Sequence, residues 1–235
     1  MSDAWSVVMA ESAARNDPTV PRRRLALEGR SPALRAVVLI LAVDTVVIVL
    51  HVLNRITGLD KRLFDLDGEQ NLPTWVSSTQ FFGVALCAAL LSVWVTGRQR
   101  LAWRVFAGIF LFLSLDELAL LHEELVDRVS RTPSGDAAFW PLFYLPLGLG
   151  VLLAVAVVLG EVRRFGGSVA LVAAGLTLLG GALVLDAVAT KIVDEPLLFE
   201  PELVLEEGFE FLGTAVLIGV LLAVLLNRLE RQRSA

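Results

Sequence analysis

The sequence predicts an all-α fold, a polytopic membrane protein with six transmembrane helices in one bundle. Three observations predict it. Hydrophobic residues make up 56% of the 235 residues, and the mean hydropathy of +0.71 is beyond that of an ordinary soluble domain. Six runs are also long enough for a helix of about 20 residues, rising about 1.5 Å each, to cross a bilayer core.

The runs lie at Ala33–Leu53, Thr74–Thr96, Leu101–His122, Phe139–Leu159, Ser168–Thr190 and Gly208–Leu226, each bounded by charge, proline or glycine. Residues 1–32, with Arg22, Arg23, Arg24 and no apolar core of signal-peptide length, are expected to form a disordered cytoplasmic tail. The membrane domain then covers 33–227, and 228–235 make a short basic cytoplasmic tail. Cys87 is the single cysteine and lies inside the second run, so neither an intrachain disulfide nor a cysteine-based metal site can form.

The net charge of -5 matters less than how charge divides between the two sides. With the N-terminus inside, the inner segments carry 14 Lys and Arg, including Arg98, Arg100, Arg104, Arg163, Arg164, Arg228, Arg231 and Arg233. The outer segments carry six: Arg55, Lys61, Arg62, Arg128, Arg131 and Lys191. Acidic residues are biased the other way. Both termini are therefore expected in the cytoplasm, with the chain integral to the bacterial cytoplasmic (inner) membrane.

Five carboxylates, Asp44, Asp116, Glu117, Asp186 and Glu210, fall within or at the edge of spans. A charge at the centre of a spanning helix costs roughly 2.5 to 3.5 kcal/mol, so each needs a partner, a cavity or an ion. Asp44, Asp116 and Asp186 stand 72 and 70 residues apart on the helices that run outward. Three repeated hairpins would give that spacing, and so would regular helix lengths.

The third run ends in Ser114-Leu-Asp116-Glu117-Leu-Ala-Leu-Leu-His122-Glu123-Glu124. In a continuous helix Asp116 and Glu123 share one face, and Glu117 and Glu124 the next. In the first run Asp44 and His51 share a face, with Asn54 beyond. His51 and His122 are the only histidines, both at outer ends. Glu206, Glu207 and Glu210 open the sixth run, and Glu69 lies in the loop before the second. Two imidazoles with several carboxylates suit a divalent ion such as zinc, iron or manganese. Against that, Glu123, Glu124, Glu206 and Glu207 also read as a solvated rim, and Asp116, Glu117 and Asp186 as interhelical hydrogen-bonding groups.

Trp75, Phe81, Phe82, Phe139, Trp140, Phe143 and Tyr144 read as interfacial anchors. Pro141 and Pro146 predict a kinked, lipid-facing fourth helix. Small residues, Ala173, Ala174, Gly175, Gly180, Gly181 and Ala182, predict a centrally packed fifth.

Glu69-x-Asn71-x-Pro73-Thr74-Trp75 together with Ser114-x-Asp116-Glu117-x4-His122-Glu123 resembles a family of uncharacterised bacterial multi-pass membrane proteins, most clearly over the first three helices. That resemblance implies the architecture and the choice of residues, and it names no reaction. The membrane hydrolase superfamily that includes alkaline ceramidases is a poor match, since its pattern needs three histidines and seven spans.

Three functions follow as expectations. The first is a metal-dependent hydrolase acting on membrane lipid or a lipid-linked substrate, with His51, His122, Asp116, Glu117 and Glu210 as ligands and Asp116, Glu117 and Glu123 as catalytic carboxylates. The second is a cation or proton channel or transporter, in which Asp44 extends an acidic track inward. The third is a b-type haem between His51 and His122. Membrane lipid is the expected partner, nucleic acid is not, and the sequence leaves the oligomeric state open.

Overall fold

The computed structural model describes residues 30–58, 61–68, 70–121, 152–192 and 196–233. All of their regular structure is helical: α1 (Arg30–Thr57), a 3-10 turn (Arg62–Phe64), α2 (Leu72–Val93), α3 (Gly97–Ala119), α4 (152–164), α5 (Val169–Ile192) and α6 (Pro196–Arg233). The predicted tail, apart from its last residues, and the outer part of the fourth span lie outside the described residues.

Three of these helices are long and apolar enough to cross a membrane, at Pro32–Thr57, Leu72–Val93 and Pro201–Arg233. Val169–Leu185 is a shorter apolar helix. The third helix differs because charge sits at both of its ends, with Arg98, Arg100 and Arg104 at one and Asp116 and Glu117 at the other.

Local chemistry sets several boundaries. Asn71 caps α2, its Oδ1 accepting the Thr74 N–H at 3.1 Å, and Pro73 sits in the first turn where no amide is needed. The third span falls short of its predicted end at His122. Leu120 adopts a left-handed conformation (φ 51°) and its N–H returns to the Asp116 carbonyl at 2.8 Å, which closes the helix at Ala119. Glu123 and Glu124, expected to continue the faces of Asp116 and Glu117, lie outside the described residues. The sixth helix is longer than predicted, starting at Pro196 and accommodating Pro201 within it.

The packing centre is α6 rather than the predicted fifth helix. It contacts α1, α2 and α5, while α3 packs mainly on α2. Helix α5 meets it through glycine as its sequence predicts, but with Gly213 as the matching residue. A Cβ on Gly213 would stand 2.9 Å from the Gly175 carbonyl oxygen, and one on Gly175 would stand 3.0 Å from that of Gly213. The larger core lies along α2, α3, α4, α5 and α6, where Phe81, Phe106, Phe110, Val158, Val162, Leu217, Leu221 and Val224 are buried together. Phe81 is thus no interfacial anchor, since its ring lies 6.1 Å from that of Phe110. Trp75 and Phe82 do face outward. The described part of the fourth helix buries Ala154, Val158, Glu161 and Val162, so that stretch is only partly lipid-facing.

Candidate functional site

Helix α1 turns its polar side inward. Asp44, His51 and Asn54 are buried together with Val47, at spacings of three and four, while Leu34, Val38, Leu39, Val43 and Val46 are exposed. This inverts the soluble pattern, as expected where hydrocarbon is the outer solvent.

Two of these residues fasten the loop above. Asn54 Oδ1 accepts the Lys61 N–H at 2.9 Å, and Asn54 Nδ2 donates to the Lys61 carbonyl at 3.2 Å. His51 Nδ1 accepts the Leu66 N–H at 3.0 Å, so that nitrogen carries no hydrogen in this arrangement. Asp65 Oδ1 lies 3.6 Å from His51 Nδ1 and 3.6 Å from Arg55. Asn71 Nδ2 donates to the carbonyls of Asp65, at 2.5 Å, and Gly68. In the same loop burial, and then the neighbouring Asp65 carboxylate, push the Asp67 carboxyl above its usual range, against Arg55 and His51.

Beneath that loop is a cavity of about 310 Å³. Its polar lining is Asp116 and Glu117 from the last turn of α3, Glu206, Glu207 and Glu210 from α6, and Thr74 and Ser77 from the start of α2. Leu66, Leu113, Leu179 and Leu183 supply much of its apolar wall. Five carboxylates from two distant stretches of the chain, 116–117 and 206–210, thus share one hollow.

Ser77 joins two of them. Its hydroxyl donates to Glu210 Oε1 and lies 3.3 Å from Glu117 Oε1. Glu117 and Glu210 thus meet at one hydroxyl.

A polar ladder leads inward from this pair. Thr214, one turn after Glu210, donates to Gln80 Oε1 at 2.6 Å and stands 2.8 Å from the Glu210 carbonyl. Gln80 Nε2 donates to Asp44 Oδ1 at 2.5 Å. Asp44 Oδ2 is buried without a hydrogen-bond partner among the described residues. Alongside, Ser78 Oγ donates to the Ser114 carbonyl at 2.7 Å and Ser114 Oγ to the Ser78 carbonyl at 2.9 Å. That reciprocal pair pins α2 to α3 one turn from Glu117.

Of the predicted site residues, Asp116, Glu117, Glu206, Glu207 and Glu210 line the cavity, and Asp44 reaches it through the ladder. His51 is engaged by the loop and is not part of the cavity lining. His122, Glu123 and Glu69 lie outside the described residues, and so does the side chain of Asp186, whose backbone is in α5. Among the described residues no three of His, Cys, Asp and Glu come together in a group that could hold a metal ion. Ser77, Gln80 and Thr214 escape sequence reasoning. Their signal is faint: neutral polar residues inside apolar runs, three or four positions from one another or from a carboxylate.

The family described as "Domain of unknown function (DUF8692)" matches residues 33–225, and the chain belongs to it. No curated protein and no solved structure matches the chain.

Proposed function

We propose that this family member is a cation or proton transporter that exchanges a small cation for a proton at the Glu117–Glu210 pair. The reading takes the six helices as six crossings of the cytoplasmic membrane, with both termini inside and the cavity opening outside, as the distribution of Arg and Lys favours. One observation carries it: the Ser77 hydroxyl meets the carboxyl groups of both Glu117 and Glu210 in a hollow ringed by three further carboxylates. Such a set attracts cations, and the pair holds a proton that an arriving cation replaces. The cation enters, the proton leaves to water, and the charge of the site is unchanged for a monovalent ion. Asp44 is the next carboxyl inward, one threonine and one glutamine away. A glutamine amide does not pass protons readily, so passage to Asp44 requires the ladder to rearrange, as in a gated pathway rather than an open pore.

Purified protein in liposomes with an entrapped pH indicator tests this. An imposed sodium or potassium gradient is expected to drive proton movement, and Glu210→Gln to reduce it by at least about tenfold, in keeping with the weight an intramembrane carboxyl carries in such pathways. Equal flux in wild type, Glu210→Gln and empty liposomes would sink the reading.

The metal-dependent hydrolase is the second reading. The apolar wall of Leu113, Leu179 and Leu183, facing the carboxylates, favours it because an acyl chain fits there. Asp116, Glu117 and Glu210 of the predicted ligand set would then contribute to holding zinc, iron or manganese. Retention of a stoichiometric transition metal through purification, with lipid hydrolysis abolished by chelators, would put it first.

A further inference from the structure

The opposite end of the bundle carries a different kind of site. The turn from α4 to α5, Phe165-Gly166-Gly167-Ser168, is pressed onto α6, since a Cβ on Gly167 would stand 2.6 Å from Val162 and 2.7 Å from Val224. Three guanidinium groups surround the Phe165 ring there: Arg228 at 3.5 Å from its centre, Arg164 at 5.7 Å and Arg231 at 5.9 Å. Glu161 accepts from Gln99 at 2.7 Å and from Arg228 at 3.2 Å, and Arg164 is 3.7 Å away. Arg228 is only 5% exposed, yet its Nε has no hydrogen-bond partner among the described residues. Arg164 is 67% exposed. One guanidinium is thus buried and incompletely satisfied, and another is exposed beside it.

We propose that Arg164, Phe165, Arg228 and Arg231 form a binding site for the phosphate headgroup of an anionic membrane lipid. Depth selects the lipid. The apolar run of α6 ends at Leu226, and Asn227 and Arg228 follow at once, which puts the corner where hydrocarbon gives way to headgroups. Leu171, half exposed on the adjoining turn of α5, offers an acyl chain a place to lie. Glu161 and the Phe165 ring hold Arg228 in one orientation, so its buried positive charge stands fixed beneath a phosphate that the exposed Arg164 and Arg231 contact. Arg164 can leave Glu161 for that phosphate at little cost, because Gln99 and Arg228 continue to satisfy the carboxylate.

The inference is independent of what the acidic cavity does. Native mass spectrometry of the full chain in detergent, with added phosphatidylglycerol, phosphatidylcholine or inorganic phosphate, tests it. Phosphatidylglycerol is expected to remain bound in preference to phosphatidylcholine, and excess inorganic phosphate is expected not to displace it. The double variant R164Q/R231Q should retain at least about tenfold less of it, the scale expected for two basic side chains near an anionic headgroup. R98Q/R104Q, which removes two exposed arginines of α3 from the same side, should retain as much as wild type. Phosphatidylglycerol should also raise the thermal midpoint of wild type but not of R164Q/R231Q, while the lipid-free midpoints agree, which separates lost binding from lost folding. Undiminished lipid on R164Q/R231Q, or an equal loss on R98Q/R104Q, overturns the proposal. So does displacement by inorganic phosphate or equal retention of phosphatidylcholine.

Discussion

At one end of the bundle five carboxylates, Asp116, Glu117, Glu206, Glu207 and Glu210, gather around a hollow with Ser77 between two of them. At the other end a single buried carboxylate, Glu161, stands among the donors Gln99, Arg164 and Arg228. Like charge concentrated around a hollow favours the approach of cations. One carboxylate bonded by several donors ties α3, α4 and α6 together and leaves positive charge in excess. The first arrangement suits an exchange site and the second a fastening.

The comparison is broken most directly by removing one charge at each end. Arg228→Met leaves Glu161 buried against a lost partner and is expected to cost about 3–5 kcal/mol. Glu210→Gln keeps a partner for Ser77 and relieves crowding, so its effect on stability is expected to stay within about 1 kcal/mol. Unfolding midpoints in micelles measure both, and equal losses would remove the distinction between the two ends.

A second test concerns the crossing that both ends share. Gly213→Ala drives a methyl group against the Gly175 carbonyl and is expected to cost about 1–3 kcal/mol. Gly108→Ala, where nothing lies within 4 Å, should stabilise α3 by about 0.5–1 kcal/mol. The same unfolding assay checks the pair.

Smaller effects belong to the loop over the cavity. Asn71→Ala removes the α2 cap and two loop bonds, a loss of about 1 kcal/mol for the cap alone. Faster hydrogen exchange at Leu72–Trp75 would report it. The mildest effect is that of Asp67. Its carboxyl titrates in the folded loop above the ordinary 3.8, so the folded state binds the proton more tightly than the unfolded chain. Stability from this group is present at low pH and falls as pH rises from that ordinary value through the raised one. Asp67→Asn should flatten that slope, and a steeper slope in the variant would contradict the assignment.

How much of this was legible in the sequence follows from cost. Asp44 and Glu210 stand out because a carboxyl in an apolar run is expensive, and Ser77, Gln80 and Thr214 do not, because neutral polar residues are common in spans. The end of α3 was hidden for another reason. Leu120 takes a backbone conformation that usually announces itself by glycine or asparagine, so nothing in the letters marks the close of the helix at Ala119. His51 has ligand chemistry, and only the fold reveals that a backbone amide occupies its Nδ1. Glu161 and Arg228 lie 67 residues apart at what read as solvated span ends, and nothing local marks them as partners.

The early termination of α3 has one more electrical consequence. Asp116 and Glu117 stand in the final turn, where peptide dipoles converge on their negative pole and the Leu120 amide caps the Asp116 carbonyl. Acidic side chains are ordinarily stabilised at the opposite pole. Backbone and side chains therefore reinforce one another here, deepening the negative potential of the hollow by about half an elementary charge beyond what its carboxylates supply.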